Sequence, residues 1–182
     1  MKKSYIYILG IIALIISFIY DKQISIFFTS YRINFLTTIS IFFDGIKWYF
    51  LFGIIFILII LQKKYKDIVP LIIALTLYLG ITTLIKTIVA RPRPFTQLNN
   101  NLVNDVDQNR SFPSGHATSM FTFLPFMKFI DLIWIILSIL VSLSRVYLGV
   151  HYLSDVIAGA LLGLFIGEFS MYIVKKNNHR KI

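Results

Sequence analysis

Two histidines and one carboxylate are the residues of this chain whose types and spacing fit catalysis best. His151 and Asp155 are four residues apart, so they share one face wherever the chain is helical. A carboxylate in that position can hold a proton on one imidazole nitrogen and leave the other nitrogen as a nucleophile or base. His116 supplies a second imidazole, which could give a proton to a leaving oxygen. These groups suit the cleavage of an ester, with either histidine as the nucleophile.

Three basic residues are placed to hold an anion such as phosphate. Lys86 and Arg93 are separated by six residues, and a proline follows the arginine directly. Arg145 stands inside an apolar segment, where an arginine is costly and therefore points to a function. Arginine offers a planar fork to phosphate oxygens, whereas lysine offers a compact charge. Arg91 is off this spacing, so we expect it to be an ordinary basic residue at a membrane interface.

The segment Pro113-Ser114-Gly115-His116 predicts the start of a helix that can bind an anion. Ser114 suits the N-cap position, and Gly115 allows a backbone to approach a bound group closely. The unpaired N–H groups at a helix start attract anions. We therefore expect Ser114 and Gly115 to bind the same phosphate as the cations, with His116 beside it.

The composition places these polar residues in an integral membrane protein. The 182 residues are 57% hydrophobic and only 14% charged, whereas about a quarter of the residues of a soluble domain are charged. The net charge is +10, but the basic residues cluster at segment ends, which favours a membrane over nucleic acid as the partner. The sequence has no cysteine, so disulfides and thiolate metal sites are excluded.

The apolar segments predict an all-α, polytopic membrane protein with one domain over residues 1–182 and six transmembrane helices in one bundle. A transmembrane helix needs about 20 apolar residues. The six segments are residues 4–20, 45–62, 68–85, 115–127, 132–150 and 152–174. We expect the first to stay as an uncleaved helix, and residues 23–44 to hold a short interfacial helix between spans one and two. Prolines end the third span, and residues 96–109 predict a polar surface loop.

The distribution of lysine and arginine predicts the orientation of the bundle. With both termini in the cytoplasm, most basic residues outside the polar clusters face inward, and all the polar clusters fall on the outer face. We therefore expect a protein of the cytoplasmic membrane whose composite site opens on the outer side.

Together, these clusters resemble the three-part signature of the type 2 phosphatidic acid phosphatase superfamily. The parts match in order and spacing over residues 86–155, whereas the preceding residues match by hydropathy alone. The matching residues are Lys86, six residues later Arg93-Pro94, then Pro113-Ser114-Gly115-His116, then Ser144-Arg145, five residues later His151, and three residues after that Asp155.

The resemblance implies a metal-independent lipid phosphatase that forms a phosphohistidine and needs no cofactor. His151 is then the nucleophile, and Asp155 orients it. His116 protonates the leaving oxygen and later activates water. The groups that the resemblance assigns to phosphate binding are Lys86, Arg93, Ser114, Gly115 and Arg145.

The expected substrate is a lipid phosphate that enters from the bilayer, and no obligate protein partner is evident. The small size, the outward site and the number of cations favour a polyprenyl diphosphate of the undecaprenyl type. Phosphatidylglycerol phosphate, phosphatidic acid and a glycolipid phosphate of the lipid A type are alternatives. Two other classes stay open: a zinc hydrolase with His116, His151 and Asp155 as ligands, and a non-catalytic protein that binds or transports anionic lipids.

Overall fold

The computed structural model describes residues 3–45, 48–98, 108–127 and 130–179. Over these ranges the chain is helical and contains no β-strand, which confirms the all-α prediction. Most of the predicted polar loop, residues 99–107, lies outside the described residues. The α-helices are α1 (Lys3–Ser30), α2 (Asn34–Gly45), α3 (Trp48–Leu61), α4 (Ile68–Val89), α5 (Pro94–Leu98), α6 (Gly115–Phe123), α7 (Asp131–Tyr147) and α8 (Leu153–His179).

Among the described residues, three helical segments are long and apolar enough to cross a membrane, namely Ser4–Ser30, Tyr65–Leu98 and Leu153–Lys176. They correspond to the first, third and sixth predicted spans. The other three predicted spans contain α3 with 14 residues, α6 with 9 and α7 with 17. These helices are shorter than the roughly 20 residues of a full crossing, so the number of six spans stays a prediction.

The segment between the first two predicted spans differs from the prediction. Helix α1 continues to Ser30 instead of ending near residue 20, and only α2, after a short break, remains as a separate element. The reason is a buried polar stripe on α1, formed at four-residue spacing by Ser17, Asp21, Ser25 and Thr29. These side chains face the protein interior rather than the membrane interface, so the helix continues past the predicted end of the span.

Helices α6 and α8 pack backbone against backbone because three glycines of α8 face α6. Gly159, Gly163 and Gly167 are four residues apart on one helix face. A Cβ atom at Gly159 would lie only 2.7 Å from the carbonyl oxygen of Ser114, and Cβ atoms at the other two would also collide with α6 carbonyls. Small residues allow this close approach of membrane helices. The start of α6 is therefore held against the first turns of α8.

The main apolar core lies in the halves of the helices that are distant from the polar clusters. It includes Leu71 of α4, Phe123 of α6, Trp134 of α7 and Ile166 of α8. The Trp134 indole nitrogen donates a hydrogen bond of 2.9 Å to the carbonyl of Met120, so its polar group is satisfied within the core. This packing fixes the helices at one end and leaves their polar residues gathered at the other.

Candidate active site

The His151–Asp155 pair lies where α7 gives way to α8. His151 stands in the short link, and Asp155 is in the first turn of α8. The two residues are buried, with exposed fractions of 4% and 0%. His151 Nδ1 lies 3.5 Å from Asp155 Oδ2, which makes them neighbours without a short hydrogen bond. The predicted pair is therefore assembled, with Nδ1 directed at the carboxylate.

The other imidazole nitrogen, His151 Nε2, faces Arg93. Arg93 Nη1 lies 3.3 Å from Nε2 and donates a hydrogen bond of 2.8 Å to the carbonyl of Val150. A guanidinium only donates, so this contact favours a lone pair on Nε2 and a proton on Nδ1. Nε2 is thus the nitrogen with nucleophilic character, and it is directed at a cation.

The surroundings of His151 keep its imidazole neutral. Burial lowers the pKa of His151 well below its usual 6.5, and the charges of Arg93, Lys86 and Arg145 lower this pKa further. A hydrogen bond with the backbone of Ser111 opposes these effects. A neutral imidazole keeps the lone pair that a nucleophile needs.

Lys86 and Arg93 converge, as the sequence predicts. Helix α4 ends at Val89, and Ala90 adopts a left-handed backbone with φ of 44° that turns the chain. Lys86 Nζ donates to the carbonyl oxygen of Arg110 at 2.8 Å, and Arg93 Nη2 approaches the same oxygen at 3.4 Å. The two cations therefore already share one oxygen acceptor.

Helix α6 begins as predicted, with Ser114 as its N-cap and Gly115 as its first residue. The Ser114 side chain accepts the N–H of the third residue after it at 3.5 Å. A Cβ atom at Gly115 would lie 3.9 Å from Lys86 Cε, which is an ordinary contact. The fold itself therefore tolerates a small side chain at this position, and the glycine leaves the surroundings of Lys86 open. His116 lies in the same turn, where the charges of Arg145, Lys86 and Arg93 act on its imidazole.

Arg145 enters the site from α7 and is fully buried. Its Nε and Nη2 atoms donate to the Ser144 hydroxyl at 3.1 and 3.0 Å, and Nη2 donates to the carbonyl of Ser40 in α2 at 2.8 Å. Its charge acts on His116 and His151. Arg145 therefore contributes charge to the site and also ties α2 to it.

Arg91 is not the ordinary interfacial residue that the sequence predicts. Its Nη1 atom lies 2.7 Å from Asp155 Oδ1, and its Nη2 atom lies 2.8 Å from Asp21 Oδ2. The guanidinium carbon is also 4.0 Å from the ring centroid of Tyr152. The prediction was wrong because both carboxylate partners are distant in the sequence, one on α1 and the other on α8.

Residues 67–179 match the family model described as the PAP2 superfamily. The chain belongs to this superfamily. The matched range contains every residue of the sequence-predicted site, from Lys86 to Asp155. Asp21, which contacts Arg91, lies before the matched range.

Three relatives illustrate the similarity. An undecaprenyl-diphosphatase from Sulfolobus acidocaldarius is 35% identical over 132 residues, which are 69% of this chain and 64% of the relative, just under two thirds of its length. The crystal structure of LpxE from Aquifex aeolicus is similar with a TM-score of 0.67 and 29% identity, over 82% of this chain and 93% of that one. A transmembrane PAP2-type phosphatidylglycerolphosphate phosphatase from Bacillus subtilis shares the fold with a TM-score of 0.68 and 23% identity, over 96% of each chain.

The candidate site of this PAP2-superfamily chain includes Arg91, to which the sequence analysis gave no role, and Asp21, which it missed. Asp21 of α1 accepts hydrogen bonds from the backbone N–H of Ser154 at 3.0 Å and from the Ser154 hydroxyl. The only sequence signal was a lone carboxylate at the end of an apolar segment, which is a costly position. That signal was overlooked because an acidic residue at a span end also fits the membrane interface.

The groups next to His151 and Asp155 do not favour the alternative of a zinc site. Among the residues that the structure describes, no three His, Asp or Glu side chains are arranged to hold a metal ion. Instead, Arg93 faces Nε2 of His151, and Arg91 contacts Oδ1 of Asp155. Guanidinium groups occupy the positions next to these acceptors, so His116, His151 and Asp155 do not form the suggested ligand set.

Proposed function

We propose that this protein is a metal-independent membrane lipid phosphatase that hydrolyses a phosphate ester or diphosphate through a phosphohistidine at His151. The observation that carries this proposal is the placement of His151 between Asp155 at Nδ1 and Arg93 at Nε2. A neutral imidazole with its nucleophilic nitrogen directed at converging cations is suited to attack a phosphorus atom that those cations hold.

In the first half of the reaction, His151 Nε2 forms a bond to phosphorus, and the bond between phosphorus and the leaving oxygen breaks. His116 donates a proton to that oxygen, so the lipid leaves as an alcohol or as a lipid monophosphate. The imidazole gains positive charge in this step, and the adjacent Asp155 carboxylate stabilises it.

In the second half, His116 accepts a proton from water, and the water oxygen attacks phosphorus. The bond between phosphorus and Nε2 then breaks, which releases inorganic phosphate and restores neutral His151. Microscopic reversibility gives His116 the role of acid in one half and base in the other.

The phosphate oxygens are held by cations and by the start of α6. Lys86 and Arg93 approach a common oxygen acceptor, which supports their action on one phosphoryl group. Arg145 adds a buried charge, and the N-terminus of α6 at Ser114 and Gly115 offers backbone N–H groups. Stabilisation of this kind is expected to be the largest part of the rate acceleration.

The substrate that we favour is a polyprenyl diphosphate, with its headgroup among the cations and its tail in the bilayer. The diphosphatase name of the Sulfolobus relative supports this choice. Phosphatidylglycerol phosphate, phosphatidic acid and a lipid A-type phosphate are the alternatives. We place the protein in the cytoplasmic membrane, with both termini in the cytoplasm and the site on the outer face, because most lysines and arginines away from the site then face inward.

A substrate panel tests the proposal. Purified protein is given undecaprenyl diphosphate, phosphatidylglycerol phosphate, phosphatidic acid and lipid A with excess chelator, and inorganic phosphate is measured. We expect release from the diphosphate to be fastest and insensitive to chelator. Equal rates on all four lipids would remove the preference for the diphosphate. No release from any lipid would favour the non-catalytic alternative, and loss of release with chelator would favour a metal hydrolase.

A further inference from the structure

We propose that Arg91 and Asp21 are positioning residues that hold the Asp155 carboxylate against His151, which makes α1 part of the catalytic unit. The inference rests on the proposed function only in taking His151 as the nucleophile. It assigns roles to two residues outside the three-part signature.

The first step of the argument is the orientation of the Asp155 carboxylate. Its Oδ1 atom accepts from Arg91 Nη1 at 2.7 Å, and its Oδ2 atom accepts the backbone N–H of Tyr152 at 2.9 Å. The same Oδ2 atom is the one that faces His151 Nδ1. Because both oxygens have a partner in a fixed direction, the carboxylate plane cannot rotate freely. Without Arg91, Oδ1 would lose its charged partner, and the Tyr152 N–H on Oδ2 and a hydrogen bond with the Ser111 side chain would be left to restrain the carboxylate.

The second step is the anchoring of Arg91 itself. Its Nη2 atom pairs with Asp21 Oδ2 at 2.8 Å, and its Nη1 atom also donates to the Ser154 hydroxyl at 2.7 Å. The planar guanidinium thus bridges two carboxylates with different nitrogen atoms, a geometry that the single amine of lysine cannot reproduce. The Tyr152 ring covers one face of the guanidinium and restricts it further.

The third step is the connection of Asp21 to α8. Asp21 Oδ1 accepts the backbone N–H of Ser154 at 3.0 Å, which is one of the N–H groups that a helix start leaves unpaired. The Ser154 hydroxyl donates to the other oxygen of Asp21. Asp21 therefore caps α8 from a neighbouring helix, one residue before Asp155. It fixes both Arg91 and the first turn that carries the carboxylate.

The burial of Asp21 and Asp155 explains why each of these carboxylates has partners at fixed positions. Asp21 is 4% exposed and Asp155 is fully buried, so each carboxylate needs a charged partner close by. A buried carboxylate on an apolar helix such as α1 is energetically costly, so its place in a hydrogen-bonded network points to a function. The network of Asp21, Arg91, Ser154 and Asp155 ends at the face of the nucleophile.

The activity test compares Arg91→Ala, Arg91→Lys and Asp21→Asn with the wild type on the lipid that it hydrolyses best. Lys22→Ala is the matched control, since Lys22 is the exposed neighbour of Asp21 on α1. We expect kcat to fall about 10- to 100-fold in Arg91→Ala, which is the range known for residues that orient metal-ligating histidines. KM should change less than about twofold, because Arg91 is not expected to touch the substrate. Arg91→Lys should restore only part of kcat. Asparagine at position 21 can still accept the Ser154 N–H but loses the charge that pairs with Arg91. Asp21→Asn should therefore add little to Arg91→Ala in the double variant.

A second readout does not depend on activity. The chain has three histidines, so ¹⁵N spectra of its imidazoles are simple, and His151→Ala assigns the His151 signals. We expect one tautomer in the wild type, with the proton on Nδ1. In Arg91→Ala and Asp21→Asn the two His151 nitrogen signals should move towards each other, as expected for a mixture of tautomers.

These readouts separate the positioning role from the proposed function. Unchanged His151 signals in both Arg91→Lys and Asp21→Asn, the variants that disturb folding least, would overturn the inference. A loss of activity in Arg91→Ala that comes from a higher KM, with kcat unchanged, would also overturn it. If the wild type released no phosphate from any lipid, the proposed function would fail, and the imidazole spectra would still decide whether Arg91 and Asp21 position the pair.

Discussion

The backbone N–H of Ser114 donates a hydrogen bond of 2.9 Å to the backbone carbonyl of Asp155. This bond joins the start of α6 directly to the first turn of α8. His116 and His151 lie within two and four residues of its ends. The relative position of the two imidazoles therefore depends on the packing of these two helices, and the glycine face of α8 determines that packing.

We expect Gly163→Ala to destabilise the protein because its Cβ would collide with the backbone carbonyl of Thr118. Overpacking of this kind costs about 1 to 3 kcal/mol. Thermal unfolding in detergent measures the loss. Gly80→Ala is the matched control, since a Cβ at Gly80 meets nothing within 4 Å. Equal melting temperatures for the two variants would show that α6 and α8 are not packed as described.

We expect Gly115→Ala to separate folding from activity. The new methyl group would lie in ordinary contact with Lys86, so the melting temperature should stay near that of the wild type. The methyl group would also stand beside the phosphate position, and a displacement of about 1 Å there can cost about 100-fold in rate. Melting and phosphate release are measured on the same preparation. Wild-type activity in this variant would remove Gly115 from the phosphate site.

We expect His116→Ala to lose activity in a way that depends on the leaving group. General acid catalysis contributes about 100- to 10,000-fold, so release from a lipid alkyl phosphate should fall by that order. An aryl phosphate needs little protonation of its leaving oxygen, and its rate of transfer to the protein should fall much less. Burst kinetics with both substrates provide the comparison. The same loss for the two substrates would contradict the role of His116 as the acid.

The lowered pKa of His151 predicts that acid destabilises the folded protein. Between this pKa and the ordinary 6.5, the folded imidazole stays neutral while the unfolded one binds a proton. The unfolded state then holds more protons, so the free energy of unfolding decreases as the pH falls through 6.5. We expect His151→Ala to lose less of its melting temperature than the wild type between pH 7.5 and 5. Equal losses of melting temperature in the wild type and in His151→Ala would show that the pKa of His151 is not lowered.

The sequence predicted the geometry of the candidate site well where each part is local. The helix start at Ser114 and the i, i+4 pair at His151 each depend on residues within one turn, and both are found in the structure. The convergence of Lys86 and Arg93 is also local, since one chain turn after α4 brings them together. Local spacing therefore carries most of the information about this site.

The parts that could not be predicted depend on contacts between distant segments. The role of Arg91 requires Asp21 and Asp155, which are brought together only by the packing of α1 on α8. The length of α1 was underestimated because its polar stripe faces a neighbouring helix. The glycine spacing in α8 was visible in the sequence, but its partner helix was not.

The most direct test of the central claim is to trap the phosphoryl group on the protein. A lipid with a radioactive terminal phosphate is mixed with wild type and with His151→Ala in excess chelator, the reaction is stopped with alkaline detergent, and labelled peptides are mapped. We expect label on His151 of the wild type at a rate consistent with turnover, and none on the variant. Phosphate release without label on His151, or equal release by His151→Ala, would contradict a phosphohistidine mechanism.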